Sequence, residues 1–409
     1  MSELVEVVPC ERSLPIEAAL AVCSKRAVGR FEPFAPPVVE FCSALATAIS
    51  RDSEARRYPE LQTLAFCMRR SALHQLRAEY EKLATRDTLL TPRGVVFHLP
   101  PSNVDTIFLY SWLNSVLVGN RNIVRLSQHE SPQVALLCRL YRAVLAGHPE
   151  LATNTVMYRY GHDAAITQAF SDICDLRVIW GGDATVNTIR AITLPPHARE
   201  IAFPNRYSMS VFRAAAVVNL SGPELETLAE RFYNDVYWFD QMACSSPQLL
   251  VWIGSEEETC DASLRLSDAV SDELRRRQFQ PHAGIGIEKL TFLSRAAIDR
   301  DVLSADRRGS AWISARLGTL VGFDREHCGG GFLFEARLDA LDRLAPHLRR
   351  RDQTLTYFGF HSDDLRNLAR LTEGEGVDRM VPVGQALNFN RYWDGMDLLA
   401  EFSRRIHIV

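Results

Sequence analysis

One cysteine stands in the run Asp240-Gln241-Met242-Ala243-Cys244-Ser245-Ser246-Pro247-Gln248, between a long helical pattern and the apolar run Leu249 to Ile253. A thiolate attacks carbonyl carbon readily, and a loop rich in backbone N–H groups is where such a thiolate is stabilised. The plainer reading is a packing cysteine, since unpaired Cys is among the most buried residue types. A second segment bears on the choice. Gly94 to Leu99 reads as a short apolar strand that ends in Pro100-Pro101 and displays Asn103; helical spacing then runs from Thr106 to Leu117. Gly119-Asn120 end that helix, and a second strand carries Arg125 at its tip, which completes a βαβ opening. An amide at such a turn can donate to an oxyanion, although Asn also builds turns on its own account.

These residues resemble the strand, oxyanion-hole asparagine and cofactor-binding basic residue of the aldehyde dehydrogenase superfamily. The closer resemblance is to the long-chain acyl-CoA reductases of the LuxC type, known from bacterial bioluminescence operons. It is carried first by His98-Leu99-Pro100, Asn103-Val104-Asp105, Tyr110-Ser111-Trp112, Gly119-Asn120 and Val124-Arg125-Leu126-Ser127. Trp180-Gly181-Gly182-Asp183, Asp240-Gln241, Cys244-Ser245-Ser246-Pro247, Asp378-Arg379, Pro382-Val383-Gly384, Trp393-Asp394-Gly395 and Ser403-Arg404 follow in family order. The stretch from about residue 94 to 409 is covered; the first 80 or so residues carry no motif of their own.

The resemblance implies roles. Cys244 becomes the nucleophile and Asn103, with the backbone N–H of Cys244, the oxyanion donor. Arg125 and Ser127 fall at the adenosine ribose, and Gly181, Gly182 and Asp183 at the turn beneath the cofactor. Gly-Gly-Asp lacks the GxGxxG spacing, so from the residues alone a plain strand-to-helix connection capped by Asp183 explains it as well. Gln128 stands where many NAD-using relatives have a glutamate that would repel a 2′-phosphate, which points to NADPH, with NADH as the alternative. Phe203 stands where hydrolytic relatives carry a water-activating glutamate. His98 reads as a core histidine, because no carboxylate at readable spacing orients it. The implied reaction is NADPH-dependent reduction of an acyl-CoA thioester to the aldehyde through an S-acyl-cysteine. The alternatives are acyl groups delivered by a carrier protein or an acyl-transferring partner, the reverse CoA-acylating oxidation, and an idle scaffold. A homo-oligomer is the superfamily's habit.

Composition narrows the classes. The chain has 409 residues, 47% of them hydrophobic, enough for two or three domains. A net charge of −4 gives nucleic acid no electrostatic support, and Arg275–Arg277 and Arg349–Arg351 read as solvated helix ends. Nine cysteines with neither CxxC nor Cys/His zinc spacing read as reduced thiols of a cytoplasmic protein without a structural metal. No signal-peptide pattern and no run of 18 apolar residues appears, so no membrane span is expected.

The elements that must position the chemistry follow from periodicity. Helical spacing dominates from Ile16 to about Arg86. Strands near 94–99, 122–126, 154–159, 176–180 and 200–212 then alternate with helices near 105–118, 131–146, 163–173 and 183–193, the pattern of a parallel, doubly wound sheet. A second set follows: the apolar run Ala215 to Leu220, a helix from Gly222 to about Phe239, Leu249 to Ile253, helices near 257–278 and 337–348, and strands near 330–335 and 354–358. The expected class is α/β, aldehyde dehydrogenase-like, with a Rossmann-type cofactor domain, an α/β catalytic domain and a cleft between them. The expected boundaries are 1–222, 223–385, and 386–409 returning to the first domain or to an oligomer interface.

Overall fold

The computed structural model describes residues 4–23, 31–101, 104–129, 131–282 and 284–409. The backbone divides into two compact units, one of residues 1–204 with 389–409, the other of residues 205–388. The first opens on strands β1 (Leu4–Val8) and β2 (Arg12–Leu14) and helices α1 (Ile16–Cys23), α2 (Pro36–Arg51), α3 (Pro59–Cys67) and α4 (Arg70–Glu81). Strand β3 (Thr88–Pro92) follows. Strands and helices then alternate: β4 (Val95–Leu99), α5 (Ile107–Leu117), β5 (Arg121–Leu126), α6 (Pro132–Leu145), β6 (Thr155–Arg159), α7 (Ala164–Ile173), β7 (Leu176–Trp180), α8 (Asp183–Arg190) and β8 (Arg199–Phe203).

The sheet order is β2-β1-β6-β5-β4-β7-β8, with β4 to β8 all parallel. Strands β1 and β2 add an antiparallel edge, so the sheet is mixed where the sequence reading gave only a helical lead-in. Strands β4 and β7 are buried along their whole length, which is why they read as unbroken apolar runs rather than as alternation. Every residue of α5 is buried as well. Gly119 ends it in the left-handed region at φ +87, and a Cβ there would lie 2.1 Å from the Phe31 carbonyl oxygen. From β4 the chain winds outward to β5 and β6, then returns to place β7 and β8 on the other side. The strand order thus reverses beside β4, and such a switch point is where parallel sheets open a crevice at their carboxyl ends.

The second unit contains β9 (Tyr207–Arg213), α9 (Ala214–Val218), α10 (Gly222–Tyr237), β10 (Pro247–Ile253), α11 (Glu256–Arg276) and α12 (Ile285–Asp299). It continues with β11 (Val302–Arg308), β12 (Trp312–Leu317), β13 (Phe332–Leu338), β14 (Asp352–Phe358), α13 (Ser362–Leu371) and β15 (Arg379–Pro382). The order is β11-β12-β13-β10-β9-β14-β15, parallel except for the β11–β12 hairpin. Met209, Val211, Leu249 and Val251 pack into one apolar layer, while Phe212, Leu250 and Trp252 pack into the other.

Two expectations are corrected. The run 200–212 is two strands in different sheets, interrupted at Pro204, which supplies no backbone donor. The contact boundary therefore falls at Pro204/Asn205, ahead of 222/223, because β9 is a central strand of the second sheet. Residues 337–348 do not form an α-helix either: β13 runs to Leu338, and a 3-10 helix over Leu341–His347 carries Pro346. The chain then returns to the first unit as β16 (Tyr392–Trp393), β17 (Met396–Asp397), α14 (Leu398–Glu401) and β18 (Ser403–His407), the last pairing antiparallel with β3.

His98 ties these elements together from a fully buried position. Trp180 Nε1 donates to Ser111 Oγ at 3.1 Å, Ser111 Oγ lies 2.7 Å from His98 Nδ1, and His98 Nε2 lies 3.1 Å from Asn122 Oδ1. With Asn122 Oδ1 as the acceptor, Nε2 carries a proton, and burial lowers the His98 pKa to about 4, which keeps the ring neutral near pH 7. Above pH 6.5 the ring is neutral whether folded or unfolded; below it only the unfolded chain takes up the proton. His98 therefore costs stability as pH falls from about 6.5 to about 4, by about 3 kcal/mol in all. Urea unfolding of the protein and of His98→Gln across that window should show the difference between them shrinking as pH falls; a constant difference would contradict the assignment.

Candidate active site

Cys244 sits in the turn between α10 and β10, at the amino edge of the second sheet, and is half-buried. The backbone that carries it is over-determined. Asp240 and Gln241 both adopt left-handed conformations, φ +49 and +62, which non-glycine residues seldom take without external support. Gln241 supplies it from full burial: its Nε2 donates to the carbonyls of Pro247 at 2.7 Å and Phe332 at 2.9 Å, and its Oε1 accepts from Gly331 N at 2.8 Å. Gln248 Nε2 donates to the Gln241 carbonyl at 2.6 Å, and Gly330 N donates to the Asp240 carbonyl at 2.8 Å.

The facing turn is Gly329-Gly330-Gly331, all three left-handed. A Cβ on Gly331 would lie 2.1 Å from the Ala311 carbonyl oxygen, and one on Gly329 would lie 2.7 Å from Met242 Sδ, so only glycine fits. Lys289, fully buried, donates to the Gly330 carbonyl at 2.5 Å, and burial lowers its pKa to about 8. Around the cysteine itself, Ser208 Oγ donates to its carbonyl at 2.7 Å and Gln353 Nε2 donates to its Sγ at 3.5 Å.

The other expected residues lie on the first unit. Arg125 is the penultimate residue of β5 and Ser127 follows that strand, while Gly181 and Gly182 follow β7; the two strands flank β4, so all four residues come to one carboxyl edge of the sheet. Arg125 is partly buried with its guanidinium 5.3 Å from the Tyr160 ring centroid, and burial lowers its pKa. Its Nε is buried without a hydrogen-bond partner, and no carboxylate pairs with it among the described residues. An anion there would satisfy both deficits. Ser127 Oγ accepts from His129 N at 3.1 Å, which leaves its proton available. Gln128 packs on Gly161, where a Cβ would lie 2.7 Å from Gln128 Oε1.

Gly182, not Asp183, is the N-cap of α8; Asp183 is its first residue, and no side chain caps the helix. A backbone N-cap lets an approaching anion reach the first-turn N–H groups. Phe203 stacks on Trp180 with ring centroids 3.7 Å apart and is buried, so its position offers no carboxylate. Asn103 lies outside the described residues. No group of three or more His, Cys, Asp or Glu side chains gathers to hold a metal, and no helix is long and apolar enough to cross a membrane, among the described residues. The glycine triplet, Ser208 and Gln353 were absent from the sequence reading; only the triplet was visible there as a signal.

A family model described as acyl-CoA reductase (LuxC) matches residues 43–290, more than half of the chain. The chain belongs to the acyl-CoA reductase (LuxC) family. Among curated relatives, a long-chain acyl-protein thioester reductase of Aliivibrio fischeri is 28% identical over 40% of this chain and 33% of its own length. One of Photorhabdus laumondii is 25% identical over 72% of this chain and 60% of its own length. This LuxC-family chain thus aligns with between a third and three fifths of those two relatives. The fold is that of the aldehyde dehydrogenases: the NAD-dependent aldehyde dehydrogenase of Sinorhizobium meliloti superposes with a TM-score of 0.70 at 15% identity, over 96% of this chain and 86% of that one.

Replacing Gln241 tests the clamp. Gln241→Leu leaves two buried carbonyls and one buried N–H without partners, each worth about 1–3 kcal/mol. Urea unfolding should show a loss of at least about 3 kcal/mol; a loss under about 1 kcal/mol would mean that the loop is held elsewhere.

Proposed function

We propose that this LuxC-family protein reduces an acyl-CoA thioester to the aldehyde, with Cys244 as the nucleophile. The observation that carries the reading is a half-buried thiol, on a backbone held in unfavourable conformations, with a side-chain donor on its sulfur. In the proposed sequence Cys244 Sγ attacks the thioester carbonyl, the oxyanion is met by the Cys244 backbone N–H and by Asn103, and CoA departs as the thiol. The S-acyl-cysteine remains. A nicotinamide cofactor, when bound, supplies a hydride to that carbonyl. The resulting thiohemiacetal loses its hydroxyl proton and expels the Cys244 thiolate, which frees the aldehyde. Phe203, stacked on Trp180 where hydrolytic relatives carry a glutamate, supports survival of the acyl-enzyme, since no base at that position activates water.

Arg125 would hold the cofactor's adenosine phosphate, with Ser127 on the ribose and Gly181, Gly182 and the first turn of α8 from Asp183 below the pyrophosphate. The uncompensated guanidinium of Arg125 and the neutral Gln128 support NADPH. A second donor is favoured by the relatives, whose name makes them acyl-protein thioester reductases: an acyl group presented on a protein. The cytoplasm, where thiols stay reduced, is the proposed compartment.

Steady-state reduction of long-chain acyl-CoA and of acyl-carrier protein, with the aldehyde measured directly, tests the reading. Aldehyde formed with NADPH from either donor supports it; nicotinamide oxidation without aldehyde would overturn it. Introducing a carboxylate with Gln128→Glu should raise the KM for NADPH about tenfold or more while leaving NADH within a few-fold. Equal effects on both cofactors would contradict the phosphate role.

A further inference from the structure

The amino edge of the second sheet is irregular at one place only a few residues wide. Between β9 and β14, Tyr207 pairs with Asp352 and Met209 with Leu355, so Ser208 alone opposes both Gln353 and Thr354. On the other side of β9, Ser208 pairs with Pro247 and Met209 with Leu249, leaving Gln248 as the extra residue of β10. Bulges re-aim side chains that regular pairing would send elsewhere. Here two of them flank one serine beside the cysteine.

The bonds around that serine close into a ring. Ser208 Oγ donates to the Cys244 carbonyl at 2.7 Å and accepts from Thr354 N at 3.2 Å. Thr354 Oγ1 donates to Gln353 Oε1 at 3.2 Å, and Gln353 Nε2 donates to Cys244 Sγ at 3.5 Å. Ser208, Gln353 and Thr354 are buried, at 0%, 3% and 1% exposure, so water does not compete for the bonds among them, while the two bonds to half-buried Cys244 lie at the edge of that layer. In this arrangement Gln353 Oε1 accepts from the threonine hydroxyl and the NH2 group faces the sulfur. The buried Arg325–Asp352 pair, bidentate at 3.0 and 2.8 Å, fixes the residue before Gln353.

We propose that Gln353 is a further catalytic residue, its amide aimed at Cys244 Sγ by Thr354 and Ser208 so as to favour thiolate over thiol and to fix the direction of attack. The inference rests on the reading of Cys244 as nucleophile. A neutral N–H donor stabilises the charged form of its acceptor without introducing a counter-charge that would hold a proton or an anion of its own. The same ring grips the cysteine's carbonyl and its sulfur, so the thiol cannot rotate away without breaking the bond to Gln353. When the acyl group is attached, the thioester sulfur no longer bears charge and the bond weakens. It re-forms as the thiohemiacetal expels the thiolate, which places its contribution in both the attack and the release.

The test is the pH dependence of Cys244 alkylation by iodoacetamide, followed on the Cys244 peptide by mass spectrometry so that the other eight cysteines do not intrude. Gln353→Met keeps length and removes the donor; its midpoint should rise by about one pH unit, an approximately tenfold loss of alkylation rate near pH 7. Its kcat for acyl thioester should fall by a similar factor with KM nearly unchanged. Thr354→Val, which leaves the amide in place but unoriented, should shift the midpoint the same way by less, and decides the matter should Gln353→Met fail to fold. An unchanged alkylation profile in a folded variant overturns the role of Gln353. Thioester reduction surviving in Cys244→Ser overturns instead the nucleophile assignment on which it rests.

Discussion

A thiol proposed to meet a substrate must be reachable, yet its sulfur must not wander, and the second unit holds both the backbone that carries Cys244 and, through Gln353, the sulfur. Gln241 is the central device. Its one amide bonds backbone on its own loop and on the approach to and start of β13, so the turn carrying Cys244 cannot relax from its left-handed residues without stranding three buried polar groups. The glycine triplet exists to let that turn close: with any side chain at Gly331, the Ala311 carbonyl would have to move. Lys289 then takes up the carbonyl that the tight turn leaves facing inward. Cys244 is thus the half-exposed member of a rigid set.

The first unit carries the groups proposed to meet the cofactor. A nucleotide needs backbone N–H groups and positive charge that nothing in the protein already satisfies, and these are what a reversed strand order leaves at the carboxyl edge of a parallel sheet. Arg125 is the clearest case, a guanidinium placed over an aromatic ring with a buried, unused donor. Gly182 at the start of α8 is the complementary case, a cap with no side chain to occupy the first-turn donors. His98, by contrast, spends both ring nitrogens on neighbours and serves as a structural pin between β4, β5, α5 and β7.

Much of this was legible in the sequence because the relevant signals are local. The parallel core strands β4 to β7 announce themselves as short apolar runs, and α5 and α10 by helical spacing; Cys244 and Arg125 stand in motifs a few residues long. What was missed depends on pairing. Strands β1 and β2 are too short for periodicity to report, and they pair there because β6 offers an edge. One apolar run, 200–212, concealed a crossing between sheets at Pro204. Gln353 carries no signal at all: a glutamine at the start of a buried strand becomes meaningful only when a bulge sets it opposite Ser208 and next to Cys244.

The most direct measurement is the intact mass of the protein after incubation with long-chain acyl-CoA in the absence of reduced nicotinamide, followed by peptide mapping. The account predicts one acyl group per chain, on Cys244, discharged as aldehyde when NADPH is added. An acyl group on another residue, or an adduct that NADPH leaves untouched, would contradict it.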